Sequence, residues 1–169
     1  MPPVKKPKTL DKLVVSKLLE RLKDEYDAMY FYTAAANWCQ GKGYEEAANF
    51  FKKEAENEHD HARKVEKYIT DWNVIFELPQ IGLPDKDYES LVDVVEQAYD
   101  IEYALYEAYE ETSKEMFSLD LCTFDFLTEY RKGQTDSVIE YSDMLNEIET
   151  VAADSNPFAL YYWQKEKFK

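Results

Sequence analysis

The sequence predicts an all-α fold, in which four long helices form a bundle with a long crossover between helices 2 and 3 and a short C-terminal fifth helix. Gly and Pro number only 4 and 6 in 169 residues, and a chain with few helix breakers favours long helices. Apolar residues recur in alternating steps of three and four, the spacing of a buried helical stripe. The length fits one domain covering residues 1–169.

Residues 1–10 are expected to form a flexible tail before a bundle that spans residues 11–149. Asp11 is a suitable N-cap for a first helix that runs to Cys39, where "QGKG" at 40–43 is expected to break it. A second helical pattern covers residues 44–72. At about 28 residues each, such helices are about 40 Å long.

The segment "NVIFELPQIGLPDKD" that follows contains two prolines and a glycine, and its length predicts an ordered crossing rather than a tight turn. A third helix is predicted over residues 88–116 and a fourth over 121–149. "DSNP" at 154–157 ends that pattern, and either Ser155 or Asn156 can cap a short last helix over 157–168.

Composition narrows the possible partners. With 20 Lys and Arg against 35 Asp and Glu, the formal charge is −15, which argues against nucleic acid or an anionic membrane and is compatible with cations. No apolar run of about 20 residues is present to span a membrane, and residues 1–10 lack the apolar stretch of a signal peptide. Two cysteines without a zinc-type spacing favour a reducing, cytoplasmic location.

Each of the four apolar stripes is interrupted near the middle of its helix by a polar residue. The interruptions are Glu25, Glu58, Glu102 and Gln134. Mid-helix positions stay level whether neighbouring helices run parallel or antiparallel, so we expect these four side chains to meet at one depth in the core.

The two histidines of the chain lie in two overlapping Glu-x-x-His pairs, Glu56 with His59 and Glu58 with His61. Glu58 lies on the apolar stripe, and His61 follows it at i+3 on the same side of the helix. Glu56 and His59 lie off the stripe. The second pair is therefore predicted to bind a metal, and the first is assigned to solvent or to an inner surface.

Energetics support a metal at this level of the bundle. Moving one carboxylate into a low-dielectric core costs several kcal/mol even after the structure relaxes, and three carboxylates also repel one another. Protons or metal ions must offset that charge. Carboxylates with one imidazole suit iron, manganese or zinc.

These segments resemble bacterial non-haem ferritin over nearly the whole chain. "DEY" at 24–26 and "YFYTAAANWC" at 30–39 are similar to the first ferritin helix, and "EEAANFFKKEAENEHDHARKVEKYITDWN" to the second. "LVDVVEQAYDIEYAL" and "CTFDFLTEYRKGQ" are similar to the third and fourth, and "FALYYWQKEKF" to the short terminal helix.

The resemblance implies a di-iron centre within one subunit. Glu25, Glu58 and His61 would bind the first iron; Glu58 would bridge to a second iron that Glu102 also binds, with Gln134 beside it, close to the incoming oxygen. The implied activity is ferroxidase, the oxidation of two Fe²⁺ per subunit by O₂ or H₂O₂. The Fe³⁺ would be stored as a mineral in a homo-oligomeric cage of twenty-four subunits.

Two aromatic residues are implicated by the same resemblance. Tyr32 matches the family's tyrosine near the centre, and Trp38 matches a nearby tryptophan. Passing electrons, hydrogen-bonding a ligand and plain core packing all stay open as their roles.

The chain departs from the bacterial pattern at a third iron site. The matching positions read Asn57, Gly133, Asp136 and Ser137, of which only Asp136 is acidic, so that site is not expected in its usual form. Gly133 in mid-helix costs about 1 kcal/mol relative to Ala and is expected to permit a local bend or close packing. Substitute ligands stay open among Glu56, His59, Asp60 and Glu140.

Several related classes fit less well. Rubrerythrin and ribonucleotide reductase need a second Glu-x-x-His, bacterioferritin needs a haem-ligating methionine on helix two, and mini-ferritins place their ligands across a subunit interface. Two alternatives stay open. One is a cage or scaffold subunit with weak or no ferroxidase activity, and the other is an oxidase acting on an organic substrate or on manganese.

Overall fold

A computed structural model describes residues 1–84 and 87–169, and these residues form five α-helices and no strand. The helices are α1 (Lys12–Lys42), α2 (Glu45–Asp71), α3 (Leu91–Leu119), α4 (Leu121–Thr150) and α5 (Pro157–Lys167). α1 packs along α2, α3 packs along α4, α1 also contacts α3, and α5 rests on α2. The predicted fold class is confirmed. Within the described ranges, no helix is both long and apolar enough to cross a membrane.

The first helix begins where predicted but ends later. Asp11 caps it by accepting a hydrogen bond from the backbone N–H of Leu13 at 2.8 Å. The expected break after Cys39 is wrong, because the helix continues to Lys42 and ends at Gly43, whose φ of 85° lies in the left-handed region that favours glycine. Of the two glycines in "QGKG", only the second leaves the helical conformation.

The starts of two other helices follow their capping side chains. α3 begins at Leu91 rather than at residue 88, because the Ser90 hydroxyl accepts a hydrogen bond from the backbone N–H of Asp93 at 3.2 Å. Asn156, one of the two candidates, caps α5 by accepting a hydrogen bond from the backbone N–H of Phe158 at 3.0 Å. α5 ends at Lys167, one residue before the predicted end.

The N-terminus of α2 is capped from a distance. Its own N-cap residue, Tyr44, makes no side-chain capping bond. Instead, Oε1 of the buried Gln164 on α5 accepts a hydrogen bond from the backbone N–H of Ala47 at 3.1 Å, and its Nε2 donates to Glu46 Oε2 at 3.1 Å. The short last helix therefore supplies α2 with the cap that its own sequence lacks.

The apolar core is divided into two clusters along the bundle. On α2, α3 and α4, one cluster ends before the mid-helix polar residue and the other begins after it. Ile101 packs against both clusters, next to Glu102. A polar layer thus separates two apolar regions at the middle of the bundle.

Candidate metal centre

The four mid-helix polar residues are buried, as the stripe predicts. Glu25 on α1, Glu58 on α2, Glu102 on α3 and Gln134 on α4 are each at most 3% exposed. His61, one turn after Glu58, keeps 36% of its side chain exposed. The layer between the two apolar clusters therefore holds three carboxyl groups, an amide and an imidazole at its edge.

The histidine joins two of the carboxyl groups. His61 Nδ1 lies 3.1 Å from Glu58 Oε2 and 3.4 Å from Glu25 Oε2. One ligand atom from each residue lies within 4.8 Å of the other two. Among the described residues, no group donates a well-aligned hydrogen bond to Glu25 Oε2, which is fully buried. A buried, unpaired oxygen beside an imidazole and a second carboxyl group is suited to bind a cation.

Glu102 forms the other half of the layer. Gln134 Nε2 donates to Glu102 Oε2 at 2.6 Å and to its backbone oxygen at 3.2 Å. The Tyr32 hydroxyl donates to Glu102 Oε1. Both carboxyl oxygens of Glu102 thus have donors, and these hydrogen bonds hold its side chain in one orientation.

The electrostatics reflect three acids sharing a small volume. Burial and the Glu25 charge raise the pKa of Glu58 well above its usual value. Burial also disfavours ionised Glu25, but the adjacent His61 and Glu58 side chains and the hydrogen bond from Tyr109 outweigh it and lower the pKa of Glu25. Burial opposes protonation of His61, yet hydrogen bonds to Glu25 and Glu58 raise its pKa to about 10. Protons on His61 and Glu58 therefore offset part of the negative charge of the three carboxyl groups in the metal-free centre.

Three tyrosines near the centre were not assigned a role from the sequence. The fully buried Tyr109 donates its hydroxyl hydrogen to Glu25 Oε1, and its ring stacks on Tyr130 at a centroid distance of 5.0 Å. The Tyr130 hydroxyl donates to the His61 backbone oxygen at 2.9 Å. Tyr141 stacks on Tyr32 at 6.3 Å. Tyr109 follows Glu102 by seven residues, so its helical spacing could have indicated it.

The two Glu-x-x-His pairs have different surroundings. Glu56 is exposed, and the half-buried ring of His59 lies 6.2 Å from the Tyr26 ring. Neither belongs to the cluster that contains Glu58 and His61. The stripe position thus separates two pairs that look the same in the sequence.

The residues at the third-site positions lie outside this cluster. Asn57 and Asp136 are exposed and Ser137 is half-buried. Asn57 donates to Glu54 at 3.1 Å. Glu54 lies one turn before Glu58, and burial together with the charges of Glu102 and Glu140 raises its pKa to about 7. Its i−4 spacing from Glu58 is the sequence signal that could have indicated it.

The prediction of close packing at Gly133 is wrong. A Cβ atom added there would meet no other atom within 4 Å. The glycine leaves open space beside Gln134 instead of admitting a neighbouring backbone.

Two intervening aromatic rings link Trp38 to Tyr32. The Tyr32 ring lies 5.2 Å from the Phe31 ring, which lies 6.1 Å from the Tyr88 ring. The Tyr88 ring in turn lies 5.6 Å from the Trp38 ring. The Trp38 indole donates to Asp87 at 3.3 Å. The tryptophan therefore belongs to a row of aromatic rings that begins at the centre and continues to Tyr44 at 6.3 Å.

Comparisons with known proteins identify the family of the chain. The family described as "Ferritin: Ferritin-like domain" matches residues 15–151. The bacterial non-heme ferritin of Staphylococcus aureus (strain MRSA252) is 28% identical over 161 residues, covering 93% of this chain and 94% of the relative. That of Campylobacter jejuni is 27% identical over 148 residues, covering 87% and 89%.

Solved structures show the same fold. A humanized archaeal ferritin superposes with a TM-score of 0.87 at 21% identity, covering 94% of this chain and 96% of that one. An open-pore ferritin from the archaeon Archaeoglobus fulgidus gives 0.86 at 20% identity, covering 93% and 95%.

Proposed function

The chain belongs to the ferritin family, and on this premise we propose that it oxidises Fe²⁺ with O₂ at a di-iron centre and stores the Fe³⁺ product as a mineral. The observation that carries the proposal is the layer of buried Glu25, Glu58 and Glu102, each from the middle of a long helix, with His61 at its edge. Bound cations would offset the repulsion among its carboxylates.

The ligands divide into two sets. Glu25, Glu58 and His61 would bind the first iron, since their ligand atoms cluster within 4.8 Å. Glu58 would bridge to the second iron, bound also by Glu102. Gln134, whose amide is 2.6 Å from Glu102, would lie beside the second iron. Hard anionic oxygen ligands favour Fe³⁺ over Fe²⁺, so the layer would promote oxidation of the bound substrate.

The reaction balances with one oxidant. Two Fe²⁺ lose one electron each, and O₂ takes up two electrons and two protons to become H₂O₂. The protons displaced from Glu58 and His61 when iron binds would supply the two protons that H₂O₂ requires. Tyr32 holds the orientation of Glu102 through its hydroxyl, and Tyr109 holds that of Glu25.

Storage requires an assembly that encloses the mineral. We propose a homo-oligomeric cage of twenty-four subunits in the cytoplasm. Exposed aromatic residues on α5, among them Phe158 at 70% and Tyr162 at 52% exposure, support contacts between subunits. The net charge of −15 favours attraction of iron cations.

The test compares two histidines two residues apart on α2. Mixing metal-free protein with Fe²⁺ and O₂ in a stopped-flow instrument, and following Fe³⁺ absorbance, should give oxidation well above the buffer rate. His61→Ala should abolish this excess, and His59→Ala, outside the cluster, should retain it. Oxidation at the buffer rate by the unmodified protein would favour the cage subunit without ferroxidase activity. A stable monomer or dimer in light scattering would count against storage.

A further inference from the structure

The centre meets solvent on the side of its histidine. The His61 side chain is 36% exposed, whereas those of Glu25 and Glu58 are 0% and 4% exposed. Glu102 and Gln134 are equally buried on their own helices. A small molecule that enters the layer near His61 crosses less protein than one that enters past the carboxylates.

A narrow gap between α2 and α4 begins at this point. It provides about 20 Å³ for a water-sized molecule, slightly more than the roughly 10–15 Å³ that one water requires. The gap is lined by His61, Lys64, Glu129, Tyr130, Gly133 and Gln134. Its inner end therefore lies at two residues that the proposed function places beside iron.

Gly133 lines the gap and places no side chain in it. An added Cβ would meet nothing within 4 Å, so any larger residue at this exposed position extends into open volume beside the gap. Glycine in mid-helix is less favourable than alanine, and no left-handed φ or close backbone contact requires it here.

An ion pair lies across the outer end. Lys64 Nζ on α2 is 3.0 Å from Glu129 Oε1 on α4, and the two side chains are 52% and 77% exposed. Exposed pairs of this kind contribute little to stability and are screened by salt. The pair can therefore separate without disturbing the helices that carry it.

We infer that the gap beside Gly133 admits O₂ to the iron centre, with the Lys64–Glu129 pair at its entrance. This inference rests on the proposed function. The size of the gap suits a neutral diatomic molecule, whereas a hydrated divalent cation is too large to pass without losing its water.

Nitric oxide tests the passage without any oxidation. It is a neutral diatomic of the size of O₂ that binds Fe²⁺ and changes its absorbance. Anaerobically Fe²⁺-loaded protein is mixed with nitric oxide in a stopped-flow instrument for the unmodified chain and for Gly133→Ala, Gly133→Val and Gly133→Leu. Gly41→Leu is the matched control, because Gly41 is also a helical glycine with nothing within 4 Å of an added Cβ, and it lies near the end of α1.

We expect the association rate constant to fall in the order of side-chain size, by about tenfold or more for Gly133→Leu, and to stay unchanged in Gly41→Leu. Anaerobic Co²⁺ titration should give equal affinities throughout, since the ligands are untouched. Lys64→Ala should bind nitric oxide at least as fast as the unmodified protein. Equal association rates across the Gly133 series would overturn the passage, whereas slow iron oxidation by the unmodified protein would count against the proposed function alone.

Discussion

The hydroxyl of Tyr109 donates a hydrogen bond to Oε1 of Glu25, which joins α3 to α1 across 84 residues of chain. Both side chains are fully buried. The second oxygen of Glu25 has no such donor among the described residues. The tyrosine therefore holds one oxygen and leaves the other directed toward His61, at 3.4 Å.

Removing this donor should destabilise the metal-free protein. Tyr109→Phe keeps the buried ring but leaves a buried carboxylate oxygen unpaired, which costs about 1–3 kcal/mol. A bound cation offsets part of that cost, so the loss should be smaller with Co²⁺ present. Chemical denaturation with and without Co²⁺ measures both values. Tyr162→Phe, 52% exposed, is the control, and an equal loss with and without metal would contradict the assignment of Glu25 as a ligand.

Metal binding should release protons at pH 7. The pKa of His61 is raised to about 10 and that of Glu58 well above its usual value, so both hold protons that a cation must displace. Affinity for Co²⁺ should therefore increase as pH rises from 6 toward 9. Calorimetric titrations in two buffers of different ionisation enthalpy count the protons. Glu58→Gln should release fewer, and a proton count of zero for the unmodified protein would refute the protonated state.

Glu54 should make the metal-free protein less stable as pH rises through the acidic range. Its pKa is about 7 in the folded protein against 4.5 for the ordinary group. Between these values the unfolded chain has released the proton and the folded chain has kept it, so stability falls with increasing pH and levels off above about 7. Thermal unfolding from pH 4.5 to 8 should show a shallower decline for Glu54→Gln. Glu56→Gln, at an exposed position, should follow the unmodified protein.

The long-range cap of α2 predicts a stability effect far from the centre. Gln164→Ala removes the acceptor for the Ala47 N–H and should lower the free energy of unfolding by about 1 kcal/mol. Hydrogen exchange at the first turn of α2 should accelerate, because its N–H groups lose their partner. Gln40→Ala, at an exposed position of α1, is the comparison, and unchanged exchange at Ala47 would show that the cap contributes nothing.

Much of the centre could be predicted because helical periodicity is local. The steps of three and four that place Glu58 on the apolar stripe, and Glu56 off it, need no knowledge of neighbouring helices. Helix ends were less predictable. In "QGKG" either glycine is able to end a helix. In the structure α1 ends at the second one, Gly43, which has the left-handed backbone conformation.

The sequence by itself determined that four amphipathic helices form, and that Glu25, Glu58, Glu102 and Gln134 lie at one level inside them. Only the tertiary structure decided which tyrosine donates to which carboxylate, how Gln164 caps α2, and that the space beside Gly133 is open. The physical reason is that hydrogen bonds and gaps between helices depend on distances between residues far apart in the chain. Those distances are set by the packing of whole helices, and the spacing of residues along one helix does not determine them.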